Sequence, residues 1–472
     1  MRLLKYLTLF TLSAVLLTIT PSYSKPLGCS RDSFHNACDQ RDFEAVQEYV
    51  NSKRTIPLEE KDCNLSISGD IRFDWASILE KINCEKFRGH HGIARQDQSN
   101  GNITIVPPIG GPPGPDQGGG LSGQGIPFST STFEVELNLY LDYVCDRSWG
   151  VAWIQFDNDA GIWQSNKTCQ EDPQGLFGSG CCEGLCLRKA YMGYNLFVDG
   201  CSRFDVELGR RPLYTVFDSR VQFQSNFDGL LLKYARNAGK YGDFYGYGGV
   251  FLVDERSNHG AWIVEVGLLA PCDKGIDLRY SYIDWQTIMS HDTNRCDTAW
   301  PVGASFRVSQ WTLAYNFCIP SMCIPGKAYG ALIYNHDTRN LTELSINRHL
   351  NLAYYFGILF GQVCHEGDWA FDICYQYVEP YAVPDQDVSG IGRNGRNLLM
   401  QTMTADGRGF TNYAGWRFEL LYAITDNFSL DGSFEYSREI YANIFGFQSL
   451  LTNTPSGPIN YSKFEVEAIY AF

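Results

Sequence analysis

Residues 464–472 read Phe464-Glu465-Val466-Glu467-Ala468-Ile469-Tyr470-Ala471-Phe472. Side chains of a β-strand alternate between its two faces. Phe464, Val466, Ala468, Tyr470 and Phe472 therefore share one side, while Glu465 and Glu467 point to the other. One face suits hydrocarbon and the other water, as in a barrel strand bathed by lipid. A tilted strand needs about 9–11 residues to cross a membrane, whereas globular strands centre near 5–6.

The same alternation returns along the chain. In 133–143, running from Phe133 through Val135, Leu137, Leu139 and Leu141 to Tyr143, every odd position is apolar. It recurs in 203–209, 275–282, 416–424 and 428–436, and helical periodicity is absent from all of them. Less regular runs lie near 67–75, 149–157, 184–198, 227–236, 242–253, 261–270, 302–317, 326–335, 349–362, 366–378 and 459–472. The expected fold is all-β: a transmembrane antiparallel barrel of about 16 strands, within an even count of 14–18. Closure gives every backbone N–H and C=O a partner, which an open sheet in lipid lacks. An exported β-sandwich or β-solenoid is the alternative; it would leave the Phe- and Tyr-bearing faces in water.

Arg2 and Lys5 precede a mostly apolar stretch from Leu7 to Ile19, then Pro21, Ser22 and Ser24, so residues 1–24 read as a secretory signal. No later run approaches the ~20 apolar residues of a spanning helix. Residues 25–62 form the expected N-terminal periplasmic or packing segment, with a short helix from Asp42 to about Arg54 carrying Phe43, Val46 and Val50 on one stripe. The barrel is expected over 63–472, interrupted at about 95–132 by a Gly/Pro-rich loop. Loss of Arg2 and Lys5 with the signal deepens the formal charge from −15 to −17, which repels nucleic acid. Aromatic residues make up 14% of the chain, a balance that aromatic girdles around a polar lumen would produce.

All 16 cysteines lie beyond the signal, and export favours disulfides. Cys318 and Cys323 flank a four-residue turn and Cys364 and Cys374 bracket another, which suggests local staples, and Cys181, Cys182 and Cys186 cluster; the full connectivity stays open. A metal site is not expected, because no paired Cys-x-x-Cys knuckles occur and the cluster has no nearby His.

The segment from Val206 through Gly209-Arg210-Arg211-Pro212 to Asp218-Ser219-Arg220 joins one amphipathic strand to the next through charged residues. With this segment, the many cysteines and the terminal Phe472, the chain over most of 60–472 resembles the porin-like outer-membrane proteins of amoeba-associated chlamydia relatives of the Protochlamydia and Parachlamydia type. The resemblance implies a barrel passing small hydrophilic solutes across an outer membrane stiffened by disulfides, with no catalytic residue and no cofactor. It also implies that Phe472 and Tyr470 form the signal read by the barrel-insertion machinery. The expected partners are that machinery, outer-membrane lipid, further copies of the chain and, through cysteines, other envelope proteins.

A pore selects by the charges lining its narrow part. Alternation puts Arg203, Asp205 and Glu207 on the lumen side, and Arg210, Arg211, Asp218 and Arg220 are further lining candidates. Glu134, Glu136, Glu419, Asp431, Glu435, Glu465 and Glu467 fall on the water side of their strands, an acidic excess that predicts weak cation preference. Two other classes stay open: a cysteine-cross-linked surface coat or adhesin, and an outer-membrane hydrolase. The second has no Gly-x-Ser-x-Gly elbow to support it, and its histidines fall mostly in turn-rich gaps.

Overall fold

The computed structural model describes residues 56–60, 63–82, 85–87, 93–96, 103–106, 131–159, 186–254, 259–270, 275–286, 306–319, 324–337, 349–384, 387–388, 391, 411–441 and 459–472. Sixteen antiparallel strands close on themselves. They are β1 Cys63–Ile82, β2 Ser131–Cys145, β3 Ser148–Asp159, β4 Cys186–Asp199, β5 Ser202–Pro212, β6 Asn226–Asn237, β7 Asp243–Asp254 and β8 His259–Leu269. The ring continues with β9 Ile276–Gln286, β10 Phe306–Ile319, β11 Ile324–Asn335, β12 Leu352–Gly361, β13 Trp369–Val378, β14 Tyr413–Ala423, β15 Phe428–Glu439 and β16 Ile459–Ala471. Each pairs with the next in the chain, and β16 returns to β1 through a register running from Asp70 opposite Ala471 to Ile82 opposite Ile459. Sheet edges thereby disappear, and with them the row of unpaired amides an open sheet would present.

Connections at one rim are short, such as 146–147, 200–201 and 424–427; at the other they include 83–130, 160–185 and 379–412. Residues 56–60 extend the sheet at the short-turn rim by pairing with 63–67, and 93–96 pair with 103–106 in a separate hairpin. At the seam, Gly69 and Phe472 exchange backbone hydrogen bonds of 3.0 and 2.9 Å, and the Phe472 ring lies where a side chain on Gly69 would sit. The close approach requires glycine there.

The outer face is a continuous apolar band rich in aromatic rings, many of them near strand ends. On β16, Phe464 and Tyr470 bracket Val466 and Ala468; on β14, Trp416 and Tyr422 bracket Phe418 and Leu420. Tyr354 stacks on Tyr377 with centroids 5.0 Å apart, and Tyr375 meets Trp416 at 4.9 Å. This is the arrangement of a wall with an apolar band and amphipathic rims.

No α-helix occurs among the described residues, and the segment expected to be helical, 42–54, lies outside them. So do the signal region 1–24, most of the Gly/Pro stretch, and Cys181, Cys182 and Cys323. The expected Cys364 to Cys374 staple is corrected. Cys374 is a free, buried thiol on the inward face of β13, opposite Gly357 and Arg417, whereas Cys364 belongs to the connection before that strand. Cys318 is also a free thiol, Cys186 opens β4 on the surface, and Cys145 is disulfide-bonded; in backbone register Cys145 stands opposite position 63.

Candidate functional site: a lumen crossed by an inward loop

Proline 212 closes the β5 ladder, and residues 213–225 turn inward instead of continuing outward. The root of this loop is fixed by Arg211. Its guanidinium donates to Glu207 Oε2 at 2.5 Å and to Thr215 Oγ1 at 3.0 Å and lies 4.6 Å from the centre of the Tyr191 ring. Lys233 Nζ of β6 reaches the other Glu207 oxygen at 3.0 Å, so one carboxylate serves two cations.

The tip reaches walls far round the ring. Arg279 of β9 donates to Asp218 at 2.5 Å, Gln310 of β10 donates to the Asp218 carbonyl at 2.6 Å, and Gln222 donates to Gln310 Oε1 at 3.0 Å. Arg220 Nη2 meets Asp372 Oδ2 of β13 at 2.7 Å, and its Nη1 lies 3.7 Å from Glu419 of β14. The guanidinium also covers the Tyr329 ring of β11 at 5.2 Å, and the Tyr329 hydroxyl donates to Asp372. Since β13 stands opposite β5 in a ring of sixteen, the loop crosses the lumen. A buried ion pair stands only when its remaining donors and acceptors are satisfied, and Tyr329 supplies that here.

A second segment, from the β13 to β14 connection, enters the same mouth. Its Val383, Val388 and Ile391 join Leu213, Phe217, Val221 and Phe223 of the loop in one buried apolar cluster. The wall beneath contributes from β6 to β14, including Phe227, Phe251, Ile263, Trp285, Phe306 and Ile333. All of these wall residues lie toward the long-loop ends of their strands.

Among the described residues, the remaining wall, from β14 through β16 and on to β5, adds only Tyr413 to that cluster. In register across β2, β1, β16 and β15 stand Glu134, Asp74, Glu467 and Asp431, four carboxyl groups side by side on the inward face. Next to them Arg72 bonds Asp70 at 2.7 Å and approaches Glu467 at 3.5 Å and Glu136 at 3.8 Å. Arg417 pairs with Glu419 and Lys463 with Glu465, both at 2.5 Å. Carboxylates outnumber cations on this side.

No protein-family model matches the chain, and no curated protein matches it. Among solved structures it is similar to OprB of Pseudomonas putida at high pH, with 10% identity, TM-score 0.44, 86% of this chain and 94% of that chain covered. It is also similar to the outer membrane channel DcaP of Acinetobacter baumannii, with 9% identity, TM-score 0.41 and coverage of 88% and 99%. A third is OmpF of Salmonella typhi in complex with daunomycin, with 9% identity, TM-score 0.41 and coverage of 88% and 100%. The barrel itself rests on its own strand pairing.

Of the lining candidates, Asp205 and Glu207 are buried on the inward face, and Arg203 shares that face nearer the short-turn rim, bonded to Asp205 at 2.9 Å. Arg211 points inward, and Asp218 and Arg220 ride the crossing loop. Arg210 does not line the lumen. It lies on the outer face in a two-point pair with Asp228 at 2.7 and 2.6 Å, because neighbours on a strand face opposite ways. Sequence reasoning missed Arg72, Lys233, Arg279, Asp372 and Asp387. Parity alone reaches Arg72, since its apolar neighbours Ile71 and Phe73 share the opposite face. Nothing local marks Asp387.

Histidine 336 has a partner that its position did not announce. On the outer face at the long-loop end, Ser309 Oγ sits 2.7 Å from His336 Nε2 and 3.1 Å from the Tyr280 hydroxyl. Ser309 is 1% exposed, closed over by its neighbours, whereas His336 is exposed.

Proposed function

We propose that this chain is an outer-membrane porin through which ions and small hydrophilic solutes diffuse passively, with weak preference for cations. The observation that carries the reading is the carboxylate-rich wall, outside the apolar cluster, facing a loop that spans the lumen. Charge confined beside a narrow water column sets up a strong local field, and with acids in excess that field favours positive ions. No covalent step is involved. Lumen side chains and water would replace part of each solute's hydration, while the ringed outer face holds the wall in lipid. Assembly with further copies of the chain, insertion by the barrel machinery and cysteine links to other envelope proteins belong to the same proposal.

Planar bilayers test it. Purified protein should give discrete conductance steps, and in a salt gradient the reversal potential should take the sign of cation selectivity. Folded protein that never conducts sinks the channel, and an anion-selective potential sinks the assigned role of the acidic wall.

A further inference from the structure

We infer that Asp387 is the positioning residue of the passage: its carboxylate clamps the crossing loop over one half of the mouth and so sets the bore. The inference rests on the channel reading for its consequence, but the clamp stands on separate geometry.

Three consecutive amides of the loop end on this one residue. Phe223 N donates to Asp387 Oδ2 and Ser225 N to Oδ1, both at 2.9 Å, and Gln224 N donates to the Asp387 carbonyl at 3.3 Å. Such a convergence requires an unusual backbone, and Phe223 has φ 78°, a left-handed conformation that a bulky side chain seldom adopts. Conformations of this kind persist only where the surroundings over-determine them. The carboxylate is fully buried and sits beside an apolar cluster, so its hydrogen bonds are charge-assisted and shielded from competing water.

The segment carrying Asp387 is itself tied to the wall. Asp387 N donates to the Pro384 carbonyl at 3.0 Å, Tyr381 N to Leu350 O at 2.9 Å, Asn335 Nδ2 to Tyr381 O at 2.9 Å, and Thr411 Oγ1 to Pro380 O at 2.9 Å. The clamp therefore fixes the loop to the wall and not merely to another loop. Removing the carboxylate strands the amides of Phe223 and Ser225 within apolar surroundings, a condition relieved by letting water in and the loop out. Arg220 with Asp372, Arg279 with Asp218 and Gln222 with Gln310 still tether the tip, so the loop loosens at 223–225 while the barrel persists. An apolar seal that wets becomes conducting.

The experiment compares wild type, Asp387→Asn and Asp387→Ala in refolded barrels of matched gel mobility, using amide hydrogen exchange and single-channel conductance. Asp387→Asn keeps one acceptor oxygen and serves as the folded variant if the alanine form fails. Expected are exchange at 223 and 225 faster by about tenfold in Asp387→Ala and less in Asp387→Asn. Conductance should rise by about twofold, with added open-channel noise, in the same order. Unchanged exchange overturns the clamp, and faster exchange without a conductance change overturns its control of the bore. A wild type that does not conduct removes the channel reading instead, and the exchange comparison still decides the clamp.

Discussion

Two halves of one lumen are built from the same alternating strands and have opposite interiors. Beneath the crossing loop, the inward residues of β6 to β13 near the long-loop mouth are mostly apolar, with Phe, Ile, Val and Trp; on β15, β16 and β1 the inward face carries many Asp, Glu, Lys and Arg. What covers a wall decides which residues it can carry. Where protein covers it, burial of a polar group without partners is costly; where water reaches it, charge is tolerated. The changeover occurs within single strands. On β9, Asp277, Arg279 and Ser281 face inward, and then Ile283 and Trp285 do, while Asp284 turns outward. Arg307 on β10 and Arg210 with Asp228 on β5 and β6 also point outward at this end. Past the membrane boundary the outside is aqueous and the inside is packed protein, so the two faces exchange roles.

Five substitutions break or sharpen this contrast. The largest stability loss is expected for Phe217→Ala, which empties the centre of the covered half at about 4 kcal/mol. Urea unfolding from lipid vesicles, followed by tryptophan fluorescence, measures it. Arg220→Ala, at the junction of the halves, leaves Asp372 without its cation and should cost about 3 kcal/mol in the same assay while raising cation selectivity. Val264→Arg puts a charge on the apolar band and should cost about 2–3 kcal/mol, whereas Asp284→Ala, outward at the rim, should cost under about 1 kcal/mol. Equal losses for these last two would undo the claim that the faces exchange roles. Smallest in stability, at about 0.5 kcal/mol, is Glu467→Gln on the open wall; its effect should appear as a reversal potential shifted toward zero.

Alternation made the strands legible, because a wall between lipid and water writes its period directly into the residues. All sixteen expected runs overlap strands of the ring. The regular pattern from 275 stops at Tyr282, where the interior of β9 passes beneath the covered mouth. Arg210 was misplaced for a related reason: outward charge near a rim looks in sequence like inward charge within the band. The Cys364 and Cys374 pairing failed because spacing says nothing about which side of the wall each thiol occupies.

Period-two patterning by itself determined an all-β chain of amphipathic strands, their number to within 14–18 and the acidic character of the inward face, since each depends only on which residues alternate. The crossing of the lumen by 213–225, the meeting of Arg220 with Asp372 and the grip of Asp387 on three loop amides were decided by tertiary structure alone. Those contacts join residues more than a hundred positions apart, and ring closure brings them together where no local pattern records it.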